Sequence, residues 1–260
     1  MAVTEWNAES YRERSSLQQM MAAEVLQALE LTGSERVLDV GCGDGRITAE
    51  IAGRLAAGSV VGVDASSNMI ALACQKAGPN LRFEVADARS LPFQHEFDLV
   101  VSFNALHWIH DQDAALSSIH RALKTDAGAH LRLVPMGPRK SIETVLEETR
   151  SSPEWREYFS DFRDPYMRLT QDEYCALARK HGFHIERVET ESKAWDFRTR
   201  AEFFAFSSVT MVEWTKRLPE SLRAVFITDV LDRYQAVAAE RPGEENTFKF
   251  YQMTIVLATG

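Results

Sequence analysis

Three acidic clusters, each following an apolar run, hold the residues of this chain most suited to chemistry. Asp39-Val40-Gly41-Cys42-Gly43-Asp44-Gly45 closes the run RVLDV, Asp64 and Ala65 close SVVGVD, and Asp87 and Ala88 follow LRFEV. Glycines directly after a strand let a backbone approach a ligand where a Cβ would collide. An acidic side chain about 20 residues further on, at the end of the next strand, can accept both ribose hydroxyls of a nucleoside. Taken singly, each cluster also fits a tight turn or an exposed loop. Together they point to a nucleoside site at the carboxyl edge of an open α/β sheet.

A pyrophosphate would favour GxGxxG spacing and an unobstructed helix amino terminus. Here one residue, Asp44, separates the second glycine from the third, and Asp39 and Asp44 put negative charge beside the loop. That environment repels a pyrophosphate and suits the ammonium and sulfonium of S-adenosylmethionine. The segments VLDVGCGDG, VVGVDASSNMI, FEVADARSLPF and FDLVVSFNALHW resemble the successive motifs of class I S-adenosylmethionine-dependent methyltransferases. The stretch Asn104-Ala105-Leu106-His107-Trp108-Ile109 resembles the carboxyl-methylating branch, which includes the trans-aconitate and juvenile hormone acid methyltransferases. YRERSSLQ at 11–18, WREY at 155–158 and DPY at 164–166 extend the likeness to the juvenile hormone acid enzymes.

This resemblance implies roles, residue by residue. Asp64, with Ala65 beside it, binds the ribose, Met69 packs on the adenine, and Asp87 and Ala88 meet the polar edge of the adenine. Asp39, Gly41 and Gly43 hold the methionyl part, and Asn104 joins the cofactor-binding set. Gln18 and Trp108 hold the substrate carboxylate beside the methyl group, with His107 next to it. A carboxylate is already ionised at neutral pH, so its methylation needs no general base. Gln18 and Trp108 are neutral donors that orient it without neutralising it. His107 is the candidate base if the acceptor is instead a phenol, amine or carbon acid, and Arg139 and Arg168 could pair a second carboxylate of a diacid.

The elements that must position these residues alternate. An amphipathic helix from Ser10 to Leu31 precedes RVLDV; strands SVVGVD, LRFEVAD, FDLVVSF and AHLRLVPM follow, separated by helices at 47–55, 66–76 and 111–124. Strands that read as continuous apolar runs between helices predict a parallel sheet covered on both faces. After Pro138, helices at 141–158 (broken by Pro153), 170–180, 200–215 and 221–239 interleave with the strands HIERVETESKAW and TFKFYQMTIVLA. The expectation is a doubly wound, seven-stranded Rossmann-like sheet, mostly parallel with the last strand antiparallel. Residues 1–138 form the amino-terminal helix and cofactor core, and residues 139–260 form a helical cap interleaved with the last two strands. The turn Thr125-Asp126-Ala127-Gly128 departs from the family's usual Pro-Gly-Gly. Most rings of the second half, Trp155, Phe203 and Trp214 among them, read as core.

With 260 residues and 45% hydrophobic content the chain can bury a proper core, and a net charge of -9 disfavours a nucleic-acid substrate. Three cysteines (Cys42, Cys74, Cys175) without a CxxC pair suggest a reducing compartment and no metal site. With no long apolar stretch and no leader-like start, the expected setting is the cytoplasm, without membrane insertion, as a monomer or homodimer. The leading expectation is an O-methyltransferase forming a methyl ester on a small-molecule acid. Its alternatives are methylation of a non-carboxyl small molecule, methylation of a malonyl-carrier protein, and a non-catalytic S-adenosylmethionine-binding scaffold. The malonyl-carrier reading needs a basic docking rim that an acidic chain does not offer.

Overall fold

The computed structural model describes residues 16–260, with the side chains of Ser16, Gln18 and Gln19 excepted. Residues 11–15 of the opening motif, and the Gln18 side chain, therefore lie outside the described residues.

Seven strands form one sheet in the order β3-β2-β1-β4-β5-β7-β6. They are β1 Arg36–Val40, β2 Ser59–Asp64, β3 Leu81–Val85, β4 Phe97–Phe103, β5 Leu123–Leu133, β6 Phe183–Asp196 and β7 Thr247–Thr259. β1 pairs in parallel with β2 and β4, β2 with β3, and β4 with β5, whereas β7 lies antiparallel to β5. Reversal of strand order on either side of β1 puts the ends of β1, β2 and β4 at a topological switch point, where open α/β sheets bind ligands.

Successive side chains of a strand face opposite sides, and this alternation splits the core in two. Leu38, Val61 and Val100 face one cluster with Leu116 and Ile119 of α4 (Gln112–Ala122) and Tyr174 of α6 (Gln171–Lys180). Val37, Val60 and Val101 face the other, with Val25 and Leu26 of α1 (Ser16–Ala28), Ile51 of α2 (Arg46–Ala52) and Ile70 of α3 (Ser67–Ala73). Because both faces are covered, these strands read as unbroken apolar runs.

The chain divides into two compact units. Among the described residues the first comprises 16–135, 166–190 and 252–260, the second 136–165 and 191–251. The second unit holds α5 Ile142–Arg150, α7 Arg200–Thr210, α8 Val212–Thr215 and α9 Glu220–Ala238. Among its aromatic rings Phe203, Trp155 and Trp214 are buried core, whereas Trp195, Phe204 and Phe206 are half-buried and Tyr158 is exposed. The two indole N–H groups donate to Asp229 and Glu147, each at 2.7 Å.

One strand boundary differs from the sequence reading. The fifth strand begins at Leu123, six residues before the expected AHLRLVPM, because the Thr259 hydroxyl accepts from Ala127 N at 3.0 Å and donates to Lys124 O at 2.8 Å. These bonds hold Thr125-Asp126-Ala127-Gly128 against the end of β7 as a bulged strand, with Asp126 at φ +58°. The break expected at Pro153 within 141–158 is present, and it falls slightly earlier: the helix stops at Arg150, with a short 3-10 turn at 156–159 beyond it. Pro153 removes an N–H donor and disfavours helical backbone at the residue before it.

Candidate active site

β1 ends in a loop whose shape depends on two glycines. Gly41 takes φ +78° and donates its N–H to Val63 O at 2.8 Å; a Cβ there would lie 2.2 Å from the Cβ of Ala105. Only glycine permits both this backbone and this approach. Gly43 takes φ +56°, and a Cβ on it would meet nothing within 4 Å, so space lies open above the loop. Its N–H donates to Asp64 Oδ2 at 3.0 Å, while Ser66 N donates to Asp64 Oδ1 at 2.9 Å. The carboxylate of β2 thus braces the loop of β1.

Asp39 sits beneath them, 2% exposed, accepting a 2.7 Å bond from the Thr48 hydroxyl. Burial raises its carboxyl to about 7; the bond from Thr48 opposes this and the charge of Asp64 adds to it. Asp44 is buried and lies 3.9 Å from the Lys76 ammonium, which also donates to Asp44 O at 2.8 Å. The acidity expected from Asp39 and Asp44 together is therefore carried by Asp39 and Asp64, since Lys76 offsets Asp44. A buried carboxyl held near neutrality beside a second carboxylate is suited to a cationic partner, which would restore its ordinary ionisation.

The remaining residues expected to meet the adenosyl part lie along the neighbouring strand ends. Met69 is buried on α3, its N–H donating to Ser66 Oγ at 3.3 Å, and Ala65 is half-buried just before that helix. Ala88 is buried in the core. Asp87 caps the short turn 88–90, and its carboxylate is clasped by Arg89 through Nε at 2.9 and 3.0 Å. That pairing holds the Asp87 carboxyl below the usual carboxylate range.

Across the loop, β4 gives way to Asn104 at φ +56° and then to a 3-10 turn over Leu106–Trp108. Gln112 fixes this turn by donating to Leu106 O and, at 2.7 Å, to Ile109 O. The Trp108 ring lies 4.2 Å from that of Tyr166, which also stacks on His107 at 5.7 Å; the Arg168 guanidinium lies over the Tyr166 ring at 5.7 Å. His107 is 5% exposed, and its Nδ1 accepts from Val134 N at 3.4 Å. Burial, aided by the charge of Arg168, lowers its pKa to about 3. Arg139, the other arginine considered for a second carboxylate, lies in the second unit over Tyr251 at 5.0 Å and donates to Ser192 at 3.2 Å.

The glycine loop, Asp39 and Asp64 are thus brought together, as are Asn104, His107 and Trp108. Thr48, Lys76 and Arg89 were missed by reasoning from sequence. Only Arg89 carried a local signal, an arginine two residues from an aspartate. Among the described residues no cluster could hold a metal ion, and no helix is long and apolar enough to cross a membrane.

A model described as a methyltransferase domain matches residues 37–126. An uncharacterized methyltransferase of Schizosaccharomyces pombe is 30% identical over 72% of this chain and 74% of its own length. The trans-aconitate 2-methyltransferase of Delftia acidovorans is 26% identical over 97% of both chains. The juvenile hormone acid O-methyltransferase of Drosophila melanogaster is 27% identical over 77% of this chain and 71% of its own. Among solved structures, phosphoethanolamine N-methyltransferase 2 of Haemonchus contortus, in complex with S-adenosylhomocysteine, superposes with a TM-score of 0.60. That match is 19% identical and covers 93% of this chain and 52% of the other, a likeness of fold. With the strand order, the glycine loop and these relatives in agreement, the chain belongs to the class I S-adenosylmethionine-dependent methyltransferases.

Proposed function

We propose that this enzyme forms a methyl ester on the carboxylate of a small-molecule acid. The observation that carries the reading is the state of His107. His107, whose ring lies 6.0 Å from that of Trp108, is buried, accepts a backbone N–H and has its pKa lowered to about 3, which leaves it no useful basicity at neutral pH. A site so furnished suits a nucleophile that arrives ionised, as a carboxylate does. Two relatives named for acids, trans-aconitate and juvenile hormone acid, support the same reading.

In this proposal Asp39, Gly41 and Gly43 hold the methionyl end of the cofactor, Asp64 with Ala65 the ribose, and Met69, Asp87 and Ala88 the adenine. S-adenosylmethionine, when bound, supplies an electrophilic methyl group on a sulfonium. Gln18 and Trp108 orient the acid through neutral N–H groups, and Tyr166 backs the Trp108 ring. Orientation and removal of water from the carboxylate are what the protein contributes.

Titration calorimetry with S-adenosylmethionine, then methyl transfer to aliphatic, aromatic, isoprenoid and tricarboxylic acids, tests this directly. Ester formation on one acid class is expected; cofactor binding with no ester from any acid would overturn it. The pH dependence gives a second check. With cofactor and acid saturating, the transfer rate is expected to show no limb near pH 6.5, because His107 stays neutral until about 3. A limb with an apparent pKa of about 6–7 that vanishes in His107→Gln would make His107 a base and favour a protonated acceptor.

A further inference from the structure

We infer that Gln252, a residue of β7 remote in sequence from every motif, is a positioning residue. It fixes the Asn104 amide so that its N–H₂ group, and not its oxygen, is offered to an anionic ligand group, a carboxylate. The inference rests on the reading of this site as one for S-adenosylmethionine and an acid.

Donors and acceptors fix the orientation of both amides. Gln252 is fully buried, and its Nε2 lies 2.9 Å from Leu133 O and 3.1 Å from Asn104 Oδ1. A backbone carbonyl only accepts, so the Gln252 atom facing Leu133 must be the nitrogen. Turned over, the amide would set oxygen against oxygen. Both Nε2 hydrogens are thereby used, while Gln252 Oε1 is buried with no partner among the described residues. The second hydrogen needs an acceptor, which makes the Asn104 atom facing Gln252 the oxygen. Asn104 Nδ2, with two hydrogens, is then directed away from Gln252.

The backbone holds the same pose. Asn104 donates its own N–H to Arg132 O at 2.7 Å and occupies the left-handed region, which asparagine tolerates better than most residues. The following residue, Ala105, is the one that abuts Gly41, and His107 and Trp108 come next. Asn104 therefore stands between the glycine loop and the His107-Trp108 turn. The acids of the loop are placed for cations, and a neutral donor between them and Trp108 is suited to a carboxylate. That carboxylate belongs either to the methionyl end of the cofactor or to the substrate acid, and the experiment separates the two.

Asn104→Asp keeps the oxygen that accepts from Gln252 and the left-handed backbone, but replaces the offered donor by an oxygen. Gln252→Glu keeps the shape and reverses the polarity, because a buried, protonated carboxyl donates to Leu133 O and turns its other oxygen to Asn104, which requires the Asn104 N–H₂ there and leaves the Asn104 oxygen toward the ligand. Gln252→Met removes the constraint without reversing it. Losing a hydrogen bond to a charged group costs on the order of ten- to a hundredfold, so Asn104→Asp and Gln252→Glu are each expected to lose at least tenfold, and Gln252→Met less than either. If the loss falls on the dissociation constant of S-adenosylmethionine, the carboxylate is the cofactor's. If it falls on KM for the acid with cofactor affinity unchanged, the carboxylate is the substrate's. The inference is overturned if Asn104→Asp stays within twofold in both, or if Gln252→Met is as damaging as Gln252→Glu, which marks a packing role.

One readout is independent of turnover and of variant folding. In the wild-type protein the Gln252 side-chain N–H₂, buried and bonded through both hydrogens, is expected to exchange with solvent far more slowly than the exposed glutamine amides. Fast exchange overturns the inference. A slow Gln252 amide in a protein that esterifies no acid overturns the proposed function alone, and the cofactor affinities of the two variants still decide the present inference.

Discussion

Replacing Asp39 by Asn is expected to make the cofactor-free protein more stable and its binding of S-adenosylmethionine about a hundredfold weaker, as when one partner of a buried charge pair is removed. The Asp39 carboxyl is raised by burial from 3.8 to about 7. A carboxyl with a raised folded pKa retains its proton longer in the folded than in the unfolded chain. Its contribution is therefore most favourable below about pH 4 and is lost as pH rises through about 7. A displacement of this size corresponds to about 2–4 kcal/mol at pH 8. Asn carries no such penalty and can still accept the Thr48 hydroxyl, so Asp39→Asn should raise Tm by about 5–10 °C at pH 8 and hardly at all at pH 4. An equal difference at both pH values would mean that Asp39 does not titrate between them. Binding should mirror stability. Wild-type affinity is expected to weaken by up to tenfold per unit as pH falls below about 7, because the carboxyl must first lose its proton, whereas the variant's weaker binding should lack this limb. Above about pH 8 the cofactor's own α-amino group deprotonates, so the wild-type optimum lies between these limits.

This trade-off was partly legible in the sequence. Asp39 could be placed beside a glycine loop at a strand end, and strands such as SVVGVD and FDLVVSF could be located, because a strand buried on both faces carries a continuous apolar stretch, here Val60–Val63 and Leu99–Val101. What could not be read was the company each residue keeps. Thr48 is nine positions from Asp39, but only the turn of the loop brings its hydroxyl to the carboxylate. Lys76 meets Asp44 across 32 positions and removes half of the acidity that seemed to surround the loop. Gln252 and Asn104 are 148 residues apart, joined because β7 returns antiparallel to β5. The early start of β5 depends on Thr259, 135 residues from Lys124. Local pattern reports which face of an element is buried, whereas hydrogen-bond partners follow from topology. The aromatic support of the site shows the same division: DPY was visible as a segment, but the packing of Tyr166 on Trp108 was not.

That packing makes Trp108 testable by a substitution that separates its ring from its N–H. In Trp108→Phe the ring can keep its place against Tyr166, 4.2 Å away. The turn beneath it remains held by Gln112, by the buried Leu106 and by the 2.8 Å bond from Met167 N to His107 O. Only the indole donor is removed. A hydrogen bond to a carboxylate contributes about 1.5–3 kcal/mol, so kcat/KM for the acid should fall by about ten- to a hundredfold, with Tm and cofactor affinity close to wild type. The split between constants is informative. As the ester forms, the oxygen loses negative charge, so a donor to it holds the ground state at least as strongly as the transition state. Most of the loss should therefore appear as a raised KM, with a smaller fall in kcat from looser alignment of the acid. If kcat/KM stayed within twofold of wild type, Trp108 would be a packing residue for Tyr166 and the carboxylate would have to be held elsewhere. If cofactor affinity fell in step with kcat/KM, the indole would belong to the adenosyl side of the site. Trp108→Ala removes ring and donor together, and its excess over Trp108→Phe measures what the contact with Tyr166 contributes to placing the acid.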